Sequence, residues 1–198
     1  MGFKHTGLFP EQAYNWNYIR ERIENAKREI QVLNLFAYTG GATVASLMAG
    51  ARVVHVDSSR GMVDWAKENV KLNKLDETKV LYIVDDVIKF VRREIRRGHK
   101  YDAIIMDPPS FGRGANGEVW DIEKNLFELL ALCQELLSDR PLFLLVNSYS
   151  GLSPCILDNL LKLTNTKKGI LTSDEIGLPI KKNNLVLPCG IYGRIDYE

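Results

Sequence analysis

Between residues 32 and 44 the chain reads Val32-Leu33-Asn34-Leu35-Phe36-Ala37-Tyr38-Thr39-Gly40-Gly41-Ala42-Thr43-Val44. A short apolar run bounded by glycine is the signal of a buried strand, and Ala42 onward continues as a small-residue helix. The paired glycines between them permit a left-handed turn and let the backbone approach a ligand with no Cβ in the way. A strand, a tight turn and a helix in that order make the opening unit of an open α/β sheet. Ligands of such sheets bind at the carboxyl ends of the strands. A tight turn with no ligand is the alternative, and the residues downstream weigh against it.

The same alternation continues along the chain. A helix from about Glu11 to Ala26 sets Trp16, Ile19, Ile23 and Ala26 on one face. Strands are expected near 30–36, 52–56, 80–84, 101–106 and 142–146, with further strands near 169–172 and 190–195. Helices are expected near 42–49, from Met62 to Val70, from Val87 to Ile95, and near 121–137 and 154–163. Gly50 and Gly98 fall where left-handed helix caps belong. A polar loop with three glycines is expected from Gly112 to Val119. Strands alternating with helices specify a parallel sheet covered on both faces, a doubly wound α/β architecture.

Bulk properties narrow the classes. With 198 residues, 45% hydrophobic and 26% charged, the chain suits one globular domain with short additions. A net charge of +1 gives no global attraction to nucleic acid or membrane. No apolar run reaches bilayer length, and no signal peptide is visible. Cys133, Cys155 and Cys189 lack paired spacing, which predicts reduced thiols, a cytoplasmic setting and no disulfide framework. His5, His55 and His99 are scattered, so no metal site is expected. Cys133 and Cys155 both read as core thiols.

Chemistry concentrates at the predicted strand ends. A dinucleotide site wants three spaced glycines to seat pyrophosphate; here only Gly40 and Gly41 are present, so a nucleoside without pyrophosphate fits better. Asp57 can accept from both hydroxyls of a ribose, or it can cap the next helix, as Ser58 or Ser59 could. At the third strand end, Asp86 followed by Val87 suits an adenine amino group better than Asp85 does, although it can also be a cap. Asp107-Pro108-Pro109-Ser110-Phe111 is the most specific feature. Its carboxylate and a prolyl carbonyl can hold an amino group, and Phe111 can stack on a planar base. A rigid strand-stopping turn is the plainer reading.

With these pieces in order, the sequence resembles the class I S-adenosylmethionine-dependent methyltransferases, and within them the 23S ribosomal RNA group that includes the cytosine-5 enzymes. The matching segments are Thr6-Gly7-Leu8-Phe9-Pro10-Glu11-Gln12, residues 32–41, Val56-Asp57, Asp85-Asp86-Val87 and Asp107 to Phe111. The resemblance covers residues 6 to about 152. It implies a Rossmann-like seven-stranded sheet with an antiparallel last strand. S-adenosylmethionine is the implied cofactor and ribosomal RNA the implied substrate. Residues 1–28 are then an arm and helix over the cofactor site, and 29–198 the methyltransferase domain.

Tyr38, Thr39, Gly40 and Asp57 are implied cofactor contacts, with Asp86 near the adenine and Phe9 and Gln12 closing over the site. Asn34, Phe36, Ser58, Asp85, Val87 and Asp107 complete the candidate cofactor set. Asp107, Pro108 and Phe111 are the candidate catalytic residues. Relatives often carry an RNA-binding domain ahead of this region, for which these 198 residues leave no room.

One departure bears on the reaction. Methylation at cytosine C5 needs a thiolate that adds to C6, and the family places that cysteine in a Cys-Ser-Gly-Leu segment. Here the segment is Tyr149-Ser150-Gly151-Leu152. A phenol of pKa ~10 is a poor substitute, so an amino, ring-nitrogen or hydroxyl acceptor is expected instead. A small-molecule or protein acceptor, or a silent cofactor-binding module, stands as the alternative. The basic run of Arg92, Arg93, Arg96 and Arg97 reads as a solvated face; Arg113 and Lys124 are better placed for phosphate.

Overall fold

In a computed structural model, residues 7–114, 117–149 and 151–197 are described. His5, Thr6 and Ser150 lie outside these residues. Five parallel strands form the heart of the sheet: β1 (Gln31–Leu35), β2 (Arg52–Asp57), β3 (Val80–Val84), β4 (Ala103–Met106) and β7 (Phe143–Ser148). A short hairpin, β5 (Phe111–Arg113) with β6 (Val119–Asp121), stands apart from it. Two long strands, β8 (Gly169–Ile180) and β9 (Leu185–Tyr197), complete seven in the order β3-β2-β1-β4-β7-β9-β8. β9 runs antiparallel to both of its neighbours. The expected seven-stranded Rossmann-like sheet with an antiparallel last strand is therefore present.

Period-two alternation decides where each strand side chain goes. Leu33, Leu35, Ile104, Met106, Leu144 and Val146 face one apolar cluster, while Val32, Ala103, Ile105, Phe143 and Leu145 face the other. The first face is covered by α4 (Val87–Arg97), α5 (Ile122–Leu136) and α6 (Pro154–Thr164). The second is covered by α1 (Ala13–Asn25), α2 (Gly41–Met48) and α3 (Arg60–Leu72), with Ile19, Ile23, Leu47 and Val70 buried there. All residues of β4 and β7 are buried, as a strand covered on both faces requires.

Three expectations are corrected. The segment after β4 is not an irregular loop throughout. Trp120 donates its indole N–H to the Pro109 carbonyl at 2.6 Å and packs on Phe36 at 4.7 Å, and this anchors the β5–β6 hairpin. The last two strands also run well past 169–172 and 190–195. Pro179 and Pro188 sit in a two-stranded arm, where a proline ring can face an unpaired edge. Finally, Cys133 is buried, but Cys155 is exposed on α6 rather than in the core.

Candidate active site

The carboxyl ends of β1, β2, β3, β4 and β7 meet along one edge, and the turn after β1 shapes the crevice there. Phe36, Tyr38 and Gly40 all adopt left-handed backbone, with φ of 52°, 50° and 87°. Non-glycine residues rarely do so, and such strain collects at functional sites. Two bonds hold the turn in this shape: Ala37 N–H donates to Val56 O at 3.0 Å, and Tyr38 N–H donates to Asp57 Oδ2 at 2.9 Å. The two glycines have different tasks. Gly40 needs its left-handed φ, whereas a Cβ on Gly41 would lie 2.7 Å from the Trp16 ring. Gly41 thus lets α1 close over the start of α2.

The segment Gly7–Gln12 is tied down over this turn. The Thr39 hydroxyl donates to the Gly7 carbonyl, and Thr39 O accepts from Asn69. Phe9 packs between Tyr38 and Tyr149, with ring centroids at 5.7 and 5.6 Å. Pro10–Gln12 forms a single 3-10 turn that runs into α1. One compartment of the crevice lies beneath this segment and is lined by Phe9, Gln12, Asn34, Tyr38, Gly40 and Asp107, among others. Asn34 is buried and donates to Thr43 at 2.9 Å.

A second compartment lies on the other side of Phe36, lined by Ser58, Asp86, Val87, Pro109, Arg113 and Trp120. Asp86 also caps α4, accepting from Lys89 N–H at 2.9 Å, so the ligand and cap readings coexist in one residue. Asp85 does not line this compartment; it pairs with Arg93 at 2.7 Å. Asp57 lines neither compartment; it accepts from Tyr38 and Ser59 backbone N–H groups, one on each oxygen. Burial pushes its carboxyl up, and those two bonds draw it part of the way back.

At the end of β4, Asp107 is the focus of a polar chain. Its Oδ2 accepts from the Tyr149 hydroxyl at 3.4 Å, and Tyr149 in turn accepts from Gln12 Nε2 at 2.8 Å. Asn15 donates to Gln12 Oε1 at 2.9 Å and to Asn147 Oδ1 at 2.8 Å. Burial pushes the Asp107 carboxyl up to about 7; the Tyr149 bond lowers it, and nearby Glu11 raises it. Burial, with the Asp107 charge beside it, also holds the Tyr149 phenol well above its ordinary value.

An acid with a raised folded-state pKa binds more protons folded than unfolded between about pH 4 and 7, so its ionisation erodes stability as pH rises through that window. Asp107→Asn is therefore expected to raise the thermal midpoint at pH 8 and leave it nearly unchanged at pH 4. Two thermal melts check this.

The other candidates are placed less centrally. Pro108 is buried, whereas Phe111 lies on β5, 56% exposed and outside both compartments. Among the basic residues, Arg92 pairs with Glu128, Arg97 with Glu94, and Lys124 with Asp121. Trp120, Asn15 and Asn147 line or brace the crevice although no sequence motif singles them out. For Asn147 a signal exists, since it lies near the end of a buried strand with a polar amide. No group of three or more His, Cys, Asp or Glu among the described residues is arranged for a metal ion. Among the same residues no helix is long and apolar enough to cross a membrane.

The residues present suit a sulfonium nucleoside. Asp107 Oδ1 and Tyr38 Oη are buried with no hydrogen-bond partner, and both residues line the compartment next to the glycine turn. This fold and crevice define a nucleoside-dependent transferase. The family model for S-adenosylmethionine-dependent methyltransferases matches residues 2–156, and the chain belongs to that family.

Ribosomal RNA large subunit methyltransferase I of Salmonella arizonae is 45% identical over 111 residues, 56% of this chain and 27% of that protein. Its Escherichia coli O139:H28 counterpart is 45% identical over 107 residues, 54% of this chain and 26% of that protein. The crystal structure of an S-adenosylmethionine-dependent methyltransferase from Agrobacterium tumefaciens superposes with a TM-score of 0.94 at 38% identity, covering 100% of this chain and 66% of that one. SMU.776, crystallised with SAH, shares the fold with a TM-score of 0.75 at 22% identity, over 96% of this chain and 50% of that one.

Proposed function

We propose that this methyltransferase acts on ribosomal RNA and delivers its methyl group to a nitrogen or oxygen acceptor. The observation that carries the acceptor reading is Tyr149, whose hydroxyl bonds to Asp107 where a covalent cytosine-5 mechanism would need a thiolate. Cys133 is sealed in the core, and burial pushes its thiol above the ordinary range. The 45% identity to the Salmonella ribosomal RNA enzyme supports an RNA acceptor.

S-adenosylmethionine, when bound, supplies a methyl group on a sulfonium, an electrophile open to any well-aimed lone pair. The residues that would hold it are those of the two compartments together with Asp57. Asp57 would take the ribose hydroxyls, and Asp86 and Val87 the adenine edge, beside the packed pair of Phe36 and Trp120. Tyr38, Thr39 and Gly40 shape the wall beside the methionine portion. On the acceptor side, Asp107 receives an N–H or O–H hydrogen and orients the lone pair toward the methyl group. Pro109 O is already taken by Trp120, which leaves the Pro108 carbonyl as second acceptor for an amino group. Tyr149, held by Gln12, fixes Asp107 and closes one side. Proximity and orientation account for most of the rate gain.

The test uses ribosomal RNA from a strain lacking the gene, incubated with the protein and methyl-labelled S-adenosylmethionine, then digested to nucleosides. Label in a nitrogen- or oxygen-methylated nucleoside is expected. Label in 5-methylcytosine would overturn the acceptor assignment, and no label in RNA would overturn the substrate.

A further inference from the structure

In the β1–β2 pairing Asn34 is level with His55, and in the β2–β3 pairing His55 is level with Tyr82. Three polar side chains therefore form a row across the face of the sheet that α1, α2 and α3 cover. Two residues earlier the corresponding row is Val32, Val53 and Val80, which is wholly apolar. Asn34 and His55 are buried, as is Thr43 in the first turn of α2. Polar groups cost stability inside such a layer unless each finds a partner. At His55 an aliphatic side chain would fill the layer without that cost.

Thr43 Oγ1 joins the first two members of the row. Asn34 Nδ2 donates to it at 2.9 Å, and it lies 2.9 Å from His55 Nδ1. Among the described residues only one of the two imidazole nitrogens is bonded, since Nε2 has no partner. Burial lowers the pKa of the ring to about 4, so it is neutral at physiological pH and has one acceptor nitrogen. With Nδ1 as that acceptor, the Thr43 hydroxyl donates to His55 and turns its lone pairs toward Asn34. Only the NH2 end of the Asn34 amide can answer them. Its Oδ1, which no described residue bonds, is then the end offered to the compartment beneath Gly7–Gln12, where Asn34 is a lining residue. The buried Asn15 Oδ1 also lacks a partner, and Asn15 belongs to the same lining.

We infer that Thr43 and His55 are positioning residues for the cofactor: acting through the Asn34 amide, they set an oxygen rather than an NH2 group against the α-ammonium of S-adenosylmethionine. The inference rests on the placement of the methionine portion beside the glycine turn proposed above. An amide can be turned end for end with almost no change of shape, so packing alone does not choose between its two ends. Presented the other way, Asn34 would aim two N–H donors at a cation that has only donors of its own. A hydrogen bond to a charged group is strong enough to shift affinity tenfold or more. The direction of one buried hydroxyl thus decides how the amino-acid end of the cofactor is received. The His55 ring also lies under the turn itself, where a Cβ on Gly40 would be 3.6 Å from His55 Cε1. A role in packing alone is the alternative that experiment must separate.

Calorimetric titration of the full chain makes that separation, using S-adenosylhomocysteine and its analogue with hydrogen in place of the amino group. Thr43→Val keeps the side-chain shape and removes the hydroxyl. It is expected to weaken S-adenosylhomocysteine at least about tenfold and the deaminated analogue less than about twofold. Thr43→Ser restores the hydroxyl and is expected to bind both compounds as the unmodified protein does. His55→Leu should reproduce the selective loss, whereas His55→Asn, whose Oδ1 can stand in for Nδ1, should not. In Asn34→Ala there is no amide to orient, so adding Thr43→Val is expected to cost nothing further. Equal losses for the two compounds would reduce Thr43 and His55 to packing of the turn and overturn the inference, as would no loss for either. A selective loss that persists undiminished in Asn34→Ala would overturn the route through Asn34. Failure of both compounds to bind the unmodified protein would overturn the placement of the cofactor, and the inference with it.

Discussion

Asp107→Ala is expected to lower methyl transfer by about 10²–10⁴-fold, the range for losing a positioned proton acceptor. The Kd for S-adenosylmethionine should change by less than about tenfold, because the residues proposed for adenine and ribose lie at the ends of other strands. Single-turnover transfer to ribosomal RNA, with equilibrium dialysis of the cofactor, separates the two effects. The pH profile adds a second signature. With its carboxyl raised to about 7 by burial, Asp107 accepts a proton only when ionised, so the rate climbs as pH passes through neutrality. In Asp107→Asn that limb should vanish. A flat profile in the unmodified enzyme would remove Asp107 from the proton path and leave it a steric or dipolar role.

Asp57→Ala should act on the other half of the reaction, raising the Kd for S-adenosylmethionine by about 10²-fold or more. Hydrogen bonds to a charged group contribute about 1.5–3 kcal/mol each, and the proposed ribose contacts are two. The carboxylate also anchors Tyr38 N–H at 2.9 Å, so its loss loosens the left-handed turn as well. Asp57→Asn, which keeps one acceptor oxygen, is expected to fall between the two. Calorimetric titration measures the series. An unchanged affinity in Asp57→Ala would place the ribose elsewhere in the crevice.

Most of the scaffold is legible in residue order because parallel strands covered on both faces leave a local mark. Val32 to Leu35, Ile104 to Met106 and Leu144 to Val146 are short apolar runs that lead to polar residues at the sheet edge. The glycine turn, Asp57, Asp86 and Asp107 are legible for the same reason, lying where buried strands give way to the crevice. What stays hidden depends on contacts distant in sequence. Trp120 becomes a crevice wall only because its indole reaches Pro109 and Phe36. Asn15 matters because it joins Gln12 to Asn147, 132 positions away. Phe111 shows the converse: the motif spacing singles it out, but the β5–β6 pairing carries it to the surface. The arm escapes a sequence reading because proline is a breaker in a sheet interior and is tolerated where a strand edge is free.

The sheet also has an order of manufacture. β9 is the last of its strands to be synthesised, yet it lies between β7 and β8 rather than at the rim. It also supplies Asp196, which accepts from Tyr18 at 2.7 Å and pairs with Arg22 at 3.1 Å, so the first helix is fastened to the final strand. A nascent chain halted just before β9 has neither of these closures. One flank of β7 is then unpaired, and α1 lacks its anchor. Loss of the 13 residues of β9 therefore removes an inner strand of the sheet rather than trimming its rim.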